Sequence, residues 1–263
     1  MYATILIEKS GGWLDICLNR PTFRNALSTE MVKELLEVLE TTKKESSIRG
    51  ITLRGKDNVF CAGGDLKGFK TVFQNPNTDR SEIENASIEI GELLHVLNTM
   101  PQVVVTFVEG AAVAGGMGLM SCGDVVISTK KALFSLTETT LGIPPAQIAP
   151  FVMGRIGLSA CRRLMLTAAR FDGEEALRLG LADFLVENES EFEGFLKDLK
   201  KDIFKAAPKA NAKTKKLLFD SLHLSVKDFR THGAQVFTDC MLDEEGLEGI
   251  ASFIEKRKPR WST

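Results

Sequence analysis

Histidine, tyrosine and paired cysteines are scarce in this chain, and each shortage excludes a class of protein. The 263 residues include three histidines, one tyrosine and five cysteines. An odd number of widely spaced cysteines without a C-x-x-C pair argues against a disulfide framework or a zinc site, and favours reduced thiols. So few histidines make nucleophilic triads and histidine–metal centres poor candidates, and we assign no metal ligand.

Long apolar runs and an excess of charge of one sign are also missing. No stretch approaches the roughly 18 apolar residues of a membrane span, and the N-terminal segment lacks the small-residue cleavage site of a signal peptide. Thirty-three Lys and Arg against thirty-five Asp and Glu leave a net charge of -2. Such a surface has no overall attraction for nucleic acid or anionic membrane. We therefore expect a cytoplasmic protein with neither of these as a partner.

The apolar pattern predicts alternating strands and helices. Residues 2–8 and 13–18 predict a β-hairpin, and residues 29–45 have helical apolar spacing. Further strands are predicted at 51–54, 103–108, 125–128 and 133–136, and a further helix at 83–99. Helices dominate after about residue 190. This order predicts an α/β core over residues 1–195 and a helical C-terminal region over 196–263.

Two glycine-rich turns follow predicted strands: Ala62-Gly63-Gly64-Asp65 and Ala114-Gly115-Gly116-Met117-Gly118. Glycine lets backbone N–H groups approach a ligand closely. A turn that opens a helix also directs the positive end of the helix dipole at an anion. Two such turns facing one another would donate two N–H bonds to one oxygen and form an oxyanion hole. The alternative is that these glycines only permit tight packing of helix against strand.

Rival nucleotide and hydrolase motifs are incomplete. The run from Gly116 to Ser121 approaches a G-x-G-x-x-G dinucleotide fingerprint but ends in serine. The only tyrosine, Tyr2, does not suit a short-chain dehydrogenase. The chain also lacks the G-K-[ST] of a P-loop and the G-x-S-x-G of a nucleophile elbow.

More specific motifs surround both glycine turns. Phe60-Cys61-Ala62-Gly63-Gly64-Asp65-Leu66-Lys67 resembles the F-[CSA]-A-G-[AG]-D-[LI] turn of the crotonase (enoyl-CoA hydratase/isomerase) superfamily. The segment from Val108 to Gly116 is similar to the second turn of that family, N-G-x-x-x-G-G-G. The loop from Asn19-Arg20-Pro21 to Asn25-Ala26-Leu27 resembles its N-R-P-x-x-x-N-A-L loop. The resemblance extends over nearly the whole chain, with order and spacing intact.

The resemblance implies a fold, an assembly and a substrate. The fold is a crotonase (ClpP-like) spiral of ββα units with a C-terminal helical region that builds homotrimers, often paired into hexamers. The substrate is an acyl-CoA thioester, so coenzyme A arrives as part of the substrate and no separate cofactor is expected. The backbone N–H groups of Gly64 and Gly115 would hold the thioester oxygen, where negative charge collects in an enolate-like transition state.

The resemblance also implies a catalytic glutamate. Hydratases of the family commonly carry two: one lies three residues after the second oxyanion glycine, and one lies on the next strand–loop segment. Here the first position is Gly118 and the second is Glu138. One glutamate suffices for hydration of a 2-enoyl-CoA or for Δ3–Δ2 double-bond isomerisation. A binding protein that kept the fold without catalysis is the third alternative.

The stretch from Gly142 to Phe151 favours a narrower hypothesis. Its sequence GIPPAQIAPF resembles the L-G-[IL]-x-P-A-x-I-[SA]-P-[YF] stretch of hydratases acting on branched glutaconyl-CoA esters, such as 3-methylglutaconyl- and isohexenylglutaconyl-CoA. Gly118 would leave room for a C3 substituent and keep a carboxylate away from a charged substrate arm. The residues expected to contact substrate or CoA are Arg24, Ala26, Ala62, Asp65, Leu66, Phe69, Gly118 and Gly142.

Overall fold

The computed structural model describes residues 2–66, 68 and 79–262. The strands in these ranges are β1 (Ile5–Ser10), β2 (Trp13–Leu18), β3 (Gly50–Gly55), β4 (Val103–Val108), β5 (Ala111–Val113), β6 (Val125–Thr129), β7 (Leu133–Ser135), β8 (Phe171–Asp172) and β9 (Phe184–Val186). The helices are α1 (Thr29–Thr42), α2 (Arg80–Asn98), α3 (Gly115–Ser121), α4 (Ala149–Thr167), α5 (Gly173–Leu179), α6 (Glu189–Lys205), α7 (Pro208–Ser221), α8 (Val226–Leu242) and α9 (Glu244–Ile254). The predicted α/β class is confirmed.

The larger of two sheets carries most of the core. Its strand order is β1-β2-β3-β4-β6-β9, in which β1 pairs antiparallel with β2 and the remaining pairs are parallel. The central strand β4 is covered on both faces, as its apolar run predicts: Val104 and Val108 face one hydrophobic cluster, and Val105 and Phe107 face another.

A smaller sheet, β5-β7-β8, positions the segments of interest. β5 pairs parallel with β7, with Val113 beside Ser135. Parallel strands end at the same edge of a sheet, so the segments that follow β5 and β7 emerge side by side. The sequence pattern predicted β7 but missed β5, β8 and β9, because strands of two or three residues show little alternation.

Helix boundaries differ from the predictions where caps decide them. Helix α2 begins three residues earlier than predicted because the Asp79 carboxylate accepts a hydrogen bond from the Ser81 N–H and caps it.

The predicted division between core and C-terminal region, after residue 195, falls inside α6, which continues as one helix to Lys205. Phe192, Leu196 and Ile203 of α6 are all buried, and Phe192 stacks on Phe107 of β4 at 4.0 Å between ring centroids.

The C-terminal helices contact the core through an ion pair. Lys215 of α7 lies 2.5 Å from Asp124, and the two side chains are 12% and 26% exposed. The Lys215 ammonium also donates to the Gln102 carbonyl at 2.8 Å, and Asp124 accepts the Val104 N–H at 2.7 Å. The pair therefore joins α7 to the beginning of β4. None of the described helices is both long and apolar enough to cross a bilayer.

Replacing Lys215 by methionine is expected to lower the free energy of unfolding by about 2 kcal/mol. That value lies between the ~1 kcal/mol of an exposed pair and the 3–5 kcal/mol lost when a fully buried pair is broken. The adjacent Lys216, 71% exposed and paired with Asp220, is the matched control, and its methionine variant is expected to change stability by less than about 0.5 kcal/mol. Urea denaturation measures both. Equal losses in the two variants would contradict the role of the Lys215 pair.

Candidate active site

The two glycine turns lie side by side because a short backbone ladder joins them. The Cys61 N–H donates to the Ala111 carbonyl at 3.0 Å, and the Val113 N–H donates to the Cys61 carbonyl at 2.9 Å. The two turns are so close that only glycine fits at position 63, and Gly63 also has a left-handed φ of +96°. A Cβ atom there would lie 2.9 Å from the Ala114 Cβ and 3.0 Å from the Val113 carbonyl oxygen.

The N–H groups of Gly64 and Gly115 are left available by this arrangement. Gly115 is the first residue of α3, where an N–H has no acceptor within the helix. Gly64 is held by its neighbours instead, since the Leu27 N–H donates to the Gly63 carbonyl and the Asp65 N–H donates to the Leu27 carbonyl. Within the described residues, neither N–H donates to a backbone acceptor. Two partly exposed donors on adjacent turns can bind one oxygen anion.

Glu138 reaches the same edge of the sheet from β7. The Ala114 N–H donates to the Ser135 carbonyl at 2.9 Å, which ties the start of α3 to the end of β7. Glu138 follows three residues later and opens a single 3-10 turn, which Gly142 ends in the left-handed conformation at φ +77°. The parallel pairing of β5 with β7 thus brings Glu138 to the edge where Gly115 begins α3.

The Glu138 carboxyl group is partly withdrawn from solvent. Its Oε2 atom is buried and has no hydrogen-bond partner among the described residues. Burial raises the pKa of this carboxyl group, and only its own backbone N–H opposes the shift. A carboxyl group whose pKa is shifted towards neutrality can both accept and donate a proton at physiological pH.

The expectation that Gly118 leaves room for a substituent is wrong. A Cβ atom at Gly118 would lie 2.4 Å from the Ile148 Cγ2 and 3.4 Å from the Leu94 Cδ1. The space that a longer side chain would enter is therefore filled by the protein itself. Ile148 lies thirty residues further along the chain, so the motif around Gly118 carried no signal of it.

Asp65 is expected from the sequence to contact substrate, but in the structure its carboxylate is bonded within the protein. It lies 2.8 Å from the Arg20 guanidinium, with side chains 8% and 15% exposed, and it accepts the Gly68 N–H at 3.0 Å. Arg20 also donates to the Ala26 carbonyl at 2.6 Å. The ion pair holds the loop before α1 against the first glycine turn.

Asn25, which sequence reasoning did not single out, organises that loop. It is fully buried and adopts a left-handed φ of 53°. Its amide donates to the carbonyls of Lys56 and Val59 and accepts the Arg20 N–H. The asparagine in the N-R-P-x-x-x-N-A-L motif was the signal, since asparagine tolerates a left-handed backbone and bonds to nearby peptide groups.

The remaining predicted contact residues are spread around the turns. Arg24 is exposed and its carbonyl accepts the Ala62 N–H at 3.1 Å, while Ala26 is 8% exposed. Leu66 is 51% exposed, and Gly142 is exposed beyond Glu138. Phe69 lies outside the described residues.

Across residues 2–66, 68 and 79–262, no group of three or more His, Cys, Asp or Glu residues is arranged to hold a metal ion.

Comparison with known proteins gives one consistent family. The enoyl-CoA hydratase/isomerase family profile matches residues 8–263. The structure of AtuE from Pseudomonas aeruginosa superposes with a TM-score of 0.95 at 43% identity, covering 99% of this chain and 100% of that one. The short-chain-enoyl-CoA hydratase of Clostridium acetobutylicum is 29% identical over 97% of this chain and 95% of its own length. The mitochondrial methylglutaconyl-CoA hydratase of Mus musculus is 26% identical over 97% of this chain and 81% of its own.

The buried Glu138 carboxyl group is expected to cost stability at neutral pH. Its folded-state pKa lies above the ordinary value of 4.5, so the folded protein retains a proton that the unfolded chain releases as pH rises past that value. Folding stability therefore falls through that window. Glu138→Gln removes the penalty and is expected to be more stable than the native protein at about pH 7.5, with no such gain at about pH 4.

Urea denaturation at the two pH values checks this expectation. Glu40→Gln is the control, because the Glu40 side chain is 47% exposed and pairs with Lys43 at the end of its own helix. If Glu138→Gln changes the free energy of unfolding by the same amount at both pH values, burial does not raise the pKa of this carboxyl group.

Proposed function

Because this chain belongs to the enoyl-CoA hydratase/isomerase family, we propose that it adds water reversibly to a 2-enoyl-CoA thioester. The observation that carries the proposal is the Glu138 carboxyl group at the sheet edge where Gly115 opens α3. This group is partly desolvated, and its Oε2 atom has no hydrogen-bond partner within residues 2–66, 68 and 79–262. A desolvated carboxylate beside two available N–H donors combines a proton-transfer group with a site for a developing oxyanion.

The residues divide the reaction between them. The thioester oxygen accepts hydrogen bonds from the Gly64 and Gly115 N–H groups. Glu138 takes a proton from water as the water oxygen bonds to C3, and the electron pair of the double bond moves through C2 to the thioester oxygen. The proton then reaches C2 and the thioester carbonyl re-forms. Loss of one such oxyanion donor typically costs about 3 kcal/mol of transition-state stabilisation.

The second candidate function is Δ3–Δ2-enoyl-CoA isomerisation. The observation that favours it is the absence of a second carboxylate at position 118, where Ile148 occupies the adjoining space. Glu138 alone would remove a proton from C2 and return it to C4, with the same two N–H groups stabilising the dienolate. A non-catalytic acyl-CoA-binding protein is the remaining alternative, and the raised pKa of Glu138 argues against it because binding alone requires no such group.

We propose a branched glutaconyl-CoA ester as one candidate substrate. Two observations support it: the resemblance of the Gly142–Phe151 stretch, and the 26% identity to a methylglutaconyl-CoA hydratase. The packing of Ile148 against Gly118 adds no support, because it removes the room that the hypothesis assigned to the C3 substituent.

Glu138→Gln is expected to lower kcat by a factor of about 10²–10⁴, the usual contribution of a positioned acid–base group. The absorbance of the conjugated thioester measures the reaction with crotonyl-, 3-methylglutaconyl- and 3-hexenoyl-CoA in turn, and Glu40→Gln is the control. Loss of conjugation with an enoyl or glutaconyl ester, abolished in Glu138→Gln, supports the hydratase. Gain of conjugation with 3-hexenoyl-CoA alone identifies the isomerase, and binding without turnover of any ester identifies the binding protein.

We further propose that copies of this chain associate as trimers or as hexamers. The C-terminal helices expose large apolar side chains, among them Val226, Leu242 and Phe253 at 82%, 74% and 85%. Monomeric proteins seldom leave such a surface uncovered, and homotrimers are what the sequence resemblance implies.

A double substitution on this surface, Leu242→Asp with Phe253→Asp, is expected to yield smaller particles than the native chain by light scattering after gel filtration. Leu6→Asp is the control, because Leu6 is 47% exposed on the distant strand β1. A native chain that elutes as a monomer would contradict the proposed assembly, and so would unchanged mass in the double variant.

A further inference from the structure

The side chain of Ile148 occupies the place towards which residue 118 would project. The Cβ position of Gly118 lies 2.4 Å from the Ile148 Cγ2 and 2.9 Å from its Cβ. Leu94 of α2 closes the same space at 3.4 Å. Ile148 is 4% exposed and Leu94 is fully buried. Together Gly118, Leu94 and Ile148 form a surface without charged or polar side-chain atoms, here called the acyl wall.

Ile148 is held in this position by the residue before it. Ser87, Gly91 and Leu94 lie four and three residues apart on α2, so they share one face of that helix. The Gln147 amide donates to the Ser87 hydroxyl at 3.0 Å. The Gln147 Oε1 comes within 2.3 Å of where a Cβ at Gly91 would be. Gln147 and Ile148 therefore pack between α2 and α3.

The acyl wall lies close to the groups assigned to the reaction. Gly118 is three residues after Gly115, one turn along α3 and on the same face of that helix. Ile148 ends the segment that begins at Glu138, and the backbone of Ile143 returns to the Glu138 carbonyl through a hydrogen bond at 3.2 Å. The segment that carries Glu138 and the helix that Gly115 opens therefore meet where Ile148 packs against Gly118.

We propose that Ile148 determines which substituents at C3 of the acyl chain the site accepts. This role rests on the proposed function, which it deepens by naming the substrate class. The close packing of Ile148 and Leu94 leaves little room beside Gly118, so a large substituent placed against the wall would be disfavoured. The accepted substrates are therefore 2-enoyl-CoA esters that are small on this side of C3.

Ile148→Ala tests the role by opening the wall. The probes are crotonyl-CoA, which is unbranched at C3, and 3-ethyl-2-pentenoyl-CoA, which carries two ethyl groups there. A difference of one or two methylene groups in an apolar pocket changes kcat/KM by about tenfold or more. The ratio of kcat/KM for the branched ester to that for the linear ester is expected to rise at least about tenfold in Ile148→Ala.

Ile203→Ala is the matched control, because Ile203 is 8% exposed and belongs to the other hydrophobic cluster, on α6. It removes the same atoms from a buried position and is expected to leave the ratio of the two esters unchanged. An active Ile148→Ala enzyme with the native ratio overturns the proposal. A native protein that hydrates 3-methylglutaconyl-CoA but not the smaller crotonyl-CoA also overturns the role of Ile148. A native protein that hydrates none of the three esters overturns the proposed function instead. The two failures are therefore distinguishable.

A stability cycle tests the contact without relying on activity. Gly118→Ala introduces the Cβ that meets Ile148, so we expect its denaturation midpoint to fall. In an Ile148→Ala background the same substitution is expected to cost less, because the Cγ2 atom is gone. Strict additivity of the two substitutions would overturn the proposed wall. Ile148→Val, which removes only one methyl group, provides the catalytic comparison if the alanine variant does not fold.

Discussion

The parallel pairing of β5 with β7 is the constraint on which the rest of the site depends. Two three-residue strands in register place the segment that starts at Gly115 beside the segment that carries Glu138. The hydrogen bond from the Ala114 N–H, directly after β5, to the carbonyl of Ser135, the last residue of β7, fixes the alignment where both strands end. A slip of one residue would reverse which side chains face the core. It would also separate the N–H donors from the carboxyl group.

Loss of contact with water affects both the chemistry of the site and the stability of the fold. The Glu138 Oε2 atom and the N–H groups of Gly64 and Gly115 are polar groups that the fold positions but, within the part of the chain that the structure describes, does not satisfy. Groups of this kind destabilise a folded chain unless a ligand completes them. The surrounding loop is held by several polar contacts: Asn25 accepts the Arg20 N–H and donates to the Val59 carbonyl, and the Arg20 side chain pairs with Asp65.

The sequence predicted the features that depend on local pattern and missed those that depend on distant partners. Apolar periodicity gave the α/β class and the long elements, and the resemblance at the two turns located Gly64, Gly115 and Glu138. It could not reveal that Asp65 pairs with an arginine 45 residues earlier. Nor could it reveal that Ile148 fills the space beside Gly118, since packing between separate segments leaves no trace in either segment alone.

The Lys215–Asp124 pair has a consequence for how the chain matures. Synthesis proceeds from the N-terminus, and the two partners are 91 residues apart. When the strands of both sheets have emerged, Asp124 still lacks its ammonium partner, and Arg49 lacks the α6–α7 carbonyls of Ile203 and Ala206 that it binds. One end of the core therefore lacks these contacts until α6 and α7 have emerged and packed against it, so completion of the sheets does not by itself complete the fold.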